Sequence, residues 1–214
     1  FGYAHVPWMK KHQRLVSEAS LPGPRERIAL ARTARDVLCQ AGYVEIGIDH
    51  FAQPGDEMSV ALRDGSLRRN FQGYTTDQAE TLIGLGASSI GRTPEGFVQN
   101  ATDEGSWRRA INAGTLPTAR GKQFEGEDLV RAAVIERLLC LFEADLAEIA
   151  EAHDQPASIF DTDVASLADF VETGWAEVEG SRVRIVAHEW EIARLVASRF
   201  DAYLGGAGRH SVAV

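Results

Sequence analysis

The sequence predicts an α/β protein in two parts, on three observations. Residues 25–41 place Ile28, Leu30, Ala31, Ala34, Val37 and Leu38 at helical spacing, and the following run Tyr43–Phe51 alternates apolar and polar as a strand does. The composition changes over 115–123, where Pro117, Gly121 and basic residues read as a linker. Beyond it the patterns run helix, helix, hairpin, helix. The expected division is therefore an α/β portion over 1–115, a linker over 116–123, and a mostly helical C-terminal domain with a small β-hairpin over 124–214.

Each element has its own signal. Phe1–Val6 reads as a strand end running into Pro7 with no turn or cap before it, so the chain is expected to be a piece of a larger domain. Leu21-Pro22-Gly23-Pro24 is a turn, Pro24 suits a first helical turn, and Gly42 suits a helix end. Residues 56–65 read as a short charged helix or turn, and Tyr74-Thr75-Thr76 ends a polar loop. Leu82–Ile90 is apolar and interrupted by glycines, as a buried strand or a loop packed under a site would be. Residues 103–113 read as a short helix. Glu127–Glu151 reads as a helix with a break near Glu143 and a stripe of Leu129, Val130, Ala133, Val134, Leu138, Leu141 and Phe142. Asp163–Thr173 reads as a second helix, capped by its Asp and ended by Gly174. Glu179-Gly180 is a hairpin signal between Trp175–Val178 and Val183–Val186, and His188–Tyr203 is a final helix. This order resembles a small winged-helix-like module.

Composition excludes several function classes. With 214 residues, 44% of them hydrophobic, the chain can bury a core, so wholesale disorder is excluded. Two cysteines far apart, Cys39 and Cys140, exclude a disulfide scaffold and a zinc finger. The net charge is −9 and unevenly placed: residues 1–100 carry 11 Lys and Arg against 11 Asp and Glu, and residues 101–214 carry 11 against 20. A nucleic acid is therefore not expected as a partner, since phosphates call for a basic surface. An anionic small molecule fits the first half only. No signal peptide pattern is present, and no apolar run approaches the ~18–20 residues of a membrane span. Thiols without an export signal point to the cytoplasm.

The densest polar and aromatic region is 47–91. Asp49-His50-Phe51 ends a strand pattern, where an Asp–His pair either orients an imidazole or makes a structural hydrogen bond. Arg68-Arg69-Asn70-Phe71-Gln72-Gly73-Tyr74-Thr75-Thr76 gathers two guanidinium groups, two amides, two rings and two hydroxyls. Arginine forks grip carboxylates and the rings suit a flat or apolar ligand, so the run reads as a ligand site. Gly84-Leu85-Gly86-Ala87-Ser88-Ser89 lacks the last glycine of a dinucleotide loop, and no Lys follows as in a phosphate loop. Lys10, Lys11, His12 and Arg14 read as a solvated cationic face. His5 reads equally as a site residue or a core histidine. No histidines among His153, His188 and His210 stand at metal-ligand spacing, and no serine sits on a nucleophile elbow.

Three stretches together resemble the oxygen-independent coproporphyrinogen III oxidase family of radical S-adenosylmethionine (SAM) enzymes. They are Gly2-Tyr3-Ala4-His5-x-Pro7, Gly47-x-Asp49-His50-Phe51-Ala52 and Asn70-Phe71-Gln72-Gly73-Tyr74-Thr75-Thr76; Gly84-x-Gly86-x-Ser88-x-Ile90 continues the match. The resemblance implies the last part of a partial TIM-like (β/α)6 barrel followed by the helical domain. It implies a reaction in which two propionates of coproporphyrinogen III are oxidatively decarboxylated to vinyl groups, giving protoporphyrinogen IX. In the family a 4Fe–4S cluster reduces SAM, and the resulting 5′-deoxyadenosyl radical abstracts a propionate hydrogen. The family holds its cluster on C-x3-C-x2-C, which this sequence lacks. The cluster ligands are therefore expected outside this chain, with no metal ligand in it and no activity from it alone, and Cys39 and Cys140 are expected to be core thiols.

By match to the family pattern, Ala4 and Ile90 contact SAM, and Phe71 and Gln72 stand at the active site. Arg68, Arg69 or both are expected to meet the substrate's propionates, since a balanced first half with clustered arginine accepts a tetra-anion. The full-length enzyme is expected to be a monomer. The competing reading is a porphyrin- or haem-binding module, or a haem-chaperone-like paralogue without radical chemistry, in which His5, His12 and His50 would supply axial ligands.

Overall fold

Pro24, with its fixed φ and missing N–H, opens helix α1 (Pro24–Gln40), and Gly42 at φ +88° ends it. The computed structural model describes residues 3–8 and 10–204. Ahead of α1, Tyr3–Val6 is not a strand. Gln13 Nε2 donates to the Ala4 carbonyl at 3.0 Å, and Gln13 Oε1 accepts from the Val6 N–H at 2.6 Å. A side-chain amide thus takes the place a partner strand would fill. The remainder of the expected Phe1–Val6 strand lies outside the described residues, as does His210.

The expected strand Tyr43–Phe51 is two strands, β1 (Val44–Ile46) and β2 (His50–Ala52), paired antiparallel with Ile46 opposite His50. The chain folds back at Gly47, whose φ is +58° and where a Cβ would fall inside the Tyr74 ring. Asp56 then caps α2 (Glu57–Asp64) by accepting from the Met58 N–H at 2.9 Å, and Gly65 at φ +78° closes it. The expected polar loop is a tight hairpin, β3 (Arg68–Asn70) and β4 (Gly73–Thr75), with Phe71-Gln72 as its two-residue turn.

Leu82–Ile90 is not buried: Ile83 is 69% and Leu85 86% exposed. The loop is held instead by Asn100, whose Nδ2 donates to the carbonyls of Gly84 at 3.0 Å and Gly86 at 2.9 Å. Strands β5 (Ile90–Thr93) and β6 (Gly96–Asn100) follow, then α3 (Glu104–Asn112), capped by Asp103. The expected linker contains a strand. Thr118–Gln123 forms β7, antiparallel to β6 and exposed along its whole length. Its Arg120 and Lys122 suit an unpaired sheet edge, and that edge chemistry is what reads as linker composition.

Helix α4 (Asp128–Leu141) ends where Phe142 turns to φ +60°, and β8 (Glu143–Asp145) and α5 (Leu146–Ala152) follow, so the break expected near Glu143 is present. The single helix expected over Asp163–Thr173 is two: α6 (Asp161–Ala165) and α7 (Ala168–Glu172). Ser166 stops α6 by donating from its hydroxyl to the Asp163 carbonyl at 2.6 Å. Asp163 caps neither; its carboxylate accepts from Arg131 Nη1 at 2.9 Å. Strands β9 (Ala176–Glu179) and β10 (Arg182–Ile185) turn through Gly180 at φ +61° and complete a sheet in the order β8-β10-β9. The last helix is shorter than expected: α8 spans Glu189–Ala197 and passes into a 3₁₀ turn, Ser198–Phe200.

Every strand pair among the described residues is antiparallel, in four small sheets. Two apolar cores sit on either side of α4. Val130, Val134 and Leu138 face the larger, with Phe160, Leu167, Val183, Val196 and Phe200. Cys140 and Leu141 face the smaller, with Ile46, Ala52, Leu67 and Tyr74. One helix therefore carries both the C-terminal helices and the two hairpins.

Candidate active site on the Arg68–Thr75 hairpin

The β3–β4 hairpin divides its side chains by function. Alternation turns Tyr74 inward, where it is 8% exposed, and leaves the turn residues Phe71 and Gln72 outside, Phe71 at 61%. Asn70 Oδ1 accepts from the Gln72 N–H at 2.8 Å and fixes the turn. Gln72 Nε2 donates to the Ile90 carbonyl at 3.4 Å. The Phe71 ring stands edge-on to Phe97 at 5.0 Å, and Phe97 stands likewise to Phe124. Gln72, expected at the active site, thus meets Ile90, expected at SAM, with Phe71 beside Gln72 on the turn.

Ala4 is not joined to them. It is exposed, and among the described residues its carbonyl bonds locally to Gln13. An open cleft of ≈ 510 Å³ beside it is lined by His5, Pro7, Trp8 and Arg14. Another, of ≈ 500 Å³, runs along Asp56, Met58, Tyr74, Thr75 and Thr76. Neither includes Phe71 or Gln72.

The two arginines separate. Arg68 Nε donates to Glu136 Oε1 at 2.9 Å, and the same oxygen accepts from the Arg69 N–H at 2.8 Å. Glu136 on α4 raises the Arg68 pKa, chiefly through that side-chain hydrogen bond. Arg69 lays its guanidinium over the Tyr74 ring at 4.5 Å, and among the described residues its buried Nη1 has no hydrogen-bond partner. The Tyr74 hydroxyl donates to the Leu139 carbonyl at 2.8 Å and accepts from the Ile48 N–H at 3.0 Å. Burial pushes that phenol above its ordinary range. Tyr74 is therefore a packing residue and not a ring presented to a ligand.

His50 Nδ1 lies 2.7 Å from Asp49 Oδ1, so the Asp–His pair expected from the sequence is formed. Glu136, Gln13 and Arg194, which organise this region, carry no local motif. Only the fold brings Glu136 to Arg68 and Arg194 to Asp49.

Cysteine placement corrects one expectation. Cys140 is a core thiol, pushed up to about 12 by burial, but Cys39 is exposed near the end of α1. Among the described residues, no three His, Cys, Asp or Glu side chains are grouped to hold a metal. The cysteines present do not fit a 4Fe–4S cluster. Among the described residues, no helix is long and apolar enough to cross a membrane.

No family model matches the chain. It is 43% identical over 215 residues to an oxygen-independent coproporphyrinogen III oxidase of Bradyrhizobium diazoefficiens, covering 100% of this chain and 48% of the relative. The corresponding Paracoccus denitrificans protein is 43% identical over 218 residues, covering 100% and 47%. A solved coproporphyrinogen III oxidase from Escherichia coli, described as a radical SAM enzyme, superposes with a TM-score of 0.87 at 33% identity, over 94% of this chain and 47% of that one. The chain spans about half the length of the curated relatives it matches. It belongs with the oxygen-independent coproporphyrinogen III oxidases, as a sequence homologous to their C-terminal half.

Proposed function

We propose that this chain is the half of an oxygen-independent coproporphyrinogen III oxidase that presents the Phe71-Gln72 turn to the substrate. The reaction is the oxidative decarboxylation of two coproporphyrinogen III propionates to vinyl groups in haem biosynthesis. The observation that carries the reading is the meeting of Gln72 and Ile90 on an exposed, braced turn, in a chain similar over its whole length to such oxidases. SAM, with a 4Fe–4S cluster held by residues outside this chain, would supply the hydrogen-abstracting radical.

The residues here bind and orient. Phe71 offers an apolar face and Gln72 an amide at the reacting centre; Ile90 and the Ala4 main chain border SAM. Arg69 faces a propionate carboxylate, and Arg68 supports it through Glu136. The strands over 44–75, two antiparallel hairpins, would pack beside the parallel barrel strands of the other half. The order α4, β8, α5, α6–α7, β9, β10 forms a winged-helix-like module that braces them. The protein acts in the cytoplasm as a monomer.

The test is to join this chain to the N-terminal half of the Bradyrhizobium diazoefficiens relative and assay it anaerobically with coproporphyrinogen III. Vinyl product is expected, and Gln72→Ala should abolish it. An intact, cluster-loaded hybrid that gives no product, where the parent relative does, would overturn the reading.

A further inference from the structure

The His50 ring is held at one nitrogen and open at the other. Asp49 Oδ1 lies 2.7 Å from Nδ1, and Asp49 Oδ2 lies 3.4 Å from Arg194 Nη2 on α8. A carboxylate is an acceptor only, so in the neutral ring the hydrogen sits on Nδ1 and Nε2 carries a lone pair. The ring plane is fixed edge-on to Tyr74, with centroids 5.0 Å apart.

Among the described residues Nε2 has no hydrogen-bond partner, and the His50 side chain is 35% exposed. Gly73 keeps that nitrogen uncovered: a Cβ there would stand 3.1 Å from Nε2. Gly73 follows Gln72 in the chain, so the open lone pair faces the end of the same hairpin turn.

A lone pair in this position selects an N–H or O–H donor and gives no hydrogen bond to a carboxylate. It cannot duplicate the arginines. We propose that His50 is a substrate-binding residue that accepts a hydrogen bond at Nε2 from a ligand N–H. This rests on the function proposed above, under which that donor is a pyrrole N–H of the porphyrinogen.

Two measurements separate this inference from the reading beneath it. In this chain, 15N NMR of the His50 ring should show Nδ1 protonated and Nε2 bare, and Asp49→Ala should move the hydrogen to Nε2. A wild-type ring protonated at Nε2 overturns the inference whatever the substrate. In the hybrid enzyme, His50→Phe should raise KM for coproporphyrinogen III by about tenfold with a smaller change in kcat, the scale of one lost hydrogen bond. His50→Gln, which keeps an acceptor oxygen, should recover part of the loss. An unchanged KM in an active His50→Phe hybrid overturns the inference. A wild-type hybrid that makes no product overturns the proposed function instead, and the NMR result then decides for His50 alone.

Discussion

Tyr74 and Leu139 are joined by a hydrogen bond of 2.8 Å from the phenol to the main-chain carbonyl. The bond links hairpin to helix. Leu139 lies in the last turn of α4, where carbonyls have no intrahelical N–H to accept from. The same hydroxyl accepts the Ile48 N–H at 3.0 Å, so three segments meet on one oxygen.

Tyr74→Phe removes that oxygen and leaves a buried N–H without its partner. The expected loss is about 1–3 kcal/mol of unfolding free energy, because an orphaned buried group bears its full desolvation penalty. Urea unfolding followed by circular dichroism measures it. A loss below ~0.5 kcal/mol would show that water replaces the phenol.

Gly47→Ala tests the same junction from the other side. Residue 47 has φ +58°, and its Cβ would lie inside the Tyr74 ring. Backbone strain and overpacking add, so we expect a loss of at least ~2 kcal/mol, seen as a lower Tm. Gly42→Ala is the control: its φ is also positive, but nothing lies within 4 Å of the added carbon, so it should cost less.

These two positions show what a sequence can reveal. Periodicity located α4 and the β9–β10 hairpin, because one buries a stripe and the other alternates around a glycine turn; it also located α1, although none of that helix's residues is buried. It read Tyr43–Phe51 as one strand, since the alternation continues through Gly47. The fold-back there depends on a ring 27 positions later in the chain, at Tyr74. Arg68 and Arg69 look equivalent in sequence and differ only because Glu136 reaches one guanidinium. The candidate site motif is contiguous in sequence; Glu136 of α4, which holds Arg68, is not, nor is Arg194 of α8, which reaches Asp49. Apolar Leu82–Ile90 misleads for a different reason: a polar anchor, Asn100, holds it at the surface.

The thiols should respond oppositely. Cys39 is exposed and Cys140 buried, so a disulfide reagent should titrate one thiol in the folded chain and two in guanidinium. Burial, with Glu136 adding to it, pushes Cys140 up to about 12, and burial also raises Tyr74. Both groups are neutral when protonated, and the fold favours that form. Their contribution to stability is full below the unfolded values of about 8.5 for Cys and about 10 for Tyr. It is lost as pH rises through the higher folded values, about 12 for Cys140. Stability measured against pH should fall over that alkaline window, and Cys140→Ala should flatten the fall. Two reactive thiols in the folded chain would remove the basis for both expectations.

Arg69 offers the sharpest contrast between stability and function. Among the described residues its Nη1 is buried without a partner, a cost of about 1–3 kcal/mol that a stabilising residue would not carry. The stack on Tyr74 returns only about 0.5–2 kcal/mol. Arg69→Met keeps much of the stem's packing and removes the unpaired donor, so Tm should stay level or rise. In the hybrid enzyme the same variant should raise KM for coproporphyrinogen III, because it deletes the charge proposed to face a propionate. Arg68→Met should do the reverse: it breaks the 2.9 Å pair with Glu136 and leaves that carboxylate partly buried, lowering Tm. If Arg69→Met lowers Tm and leaves KM unchanged, the guanidinium serves packing and the propionate contact must be sought elsewhere on the hairpin.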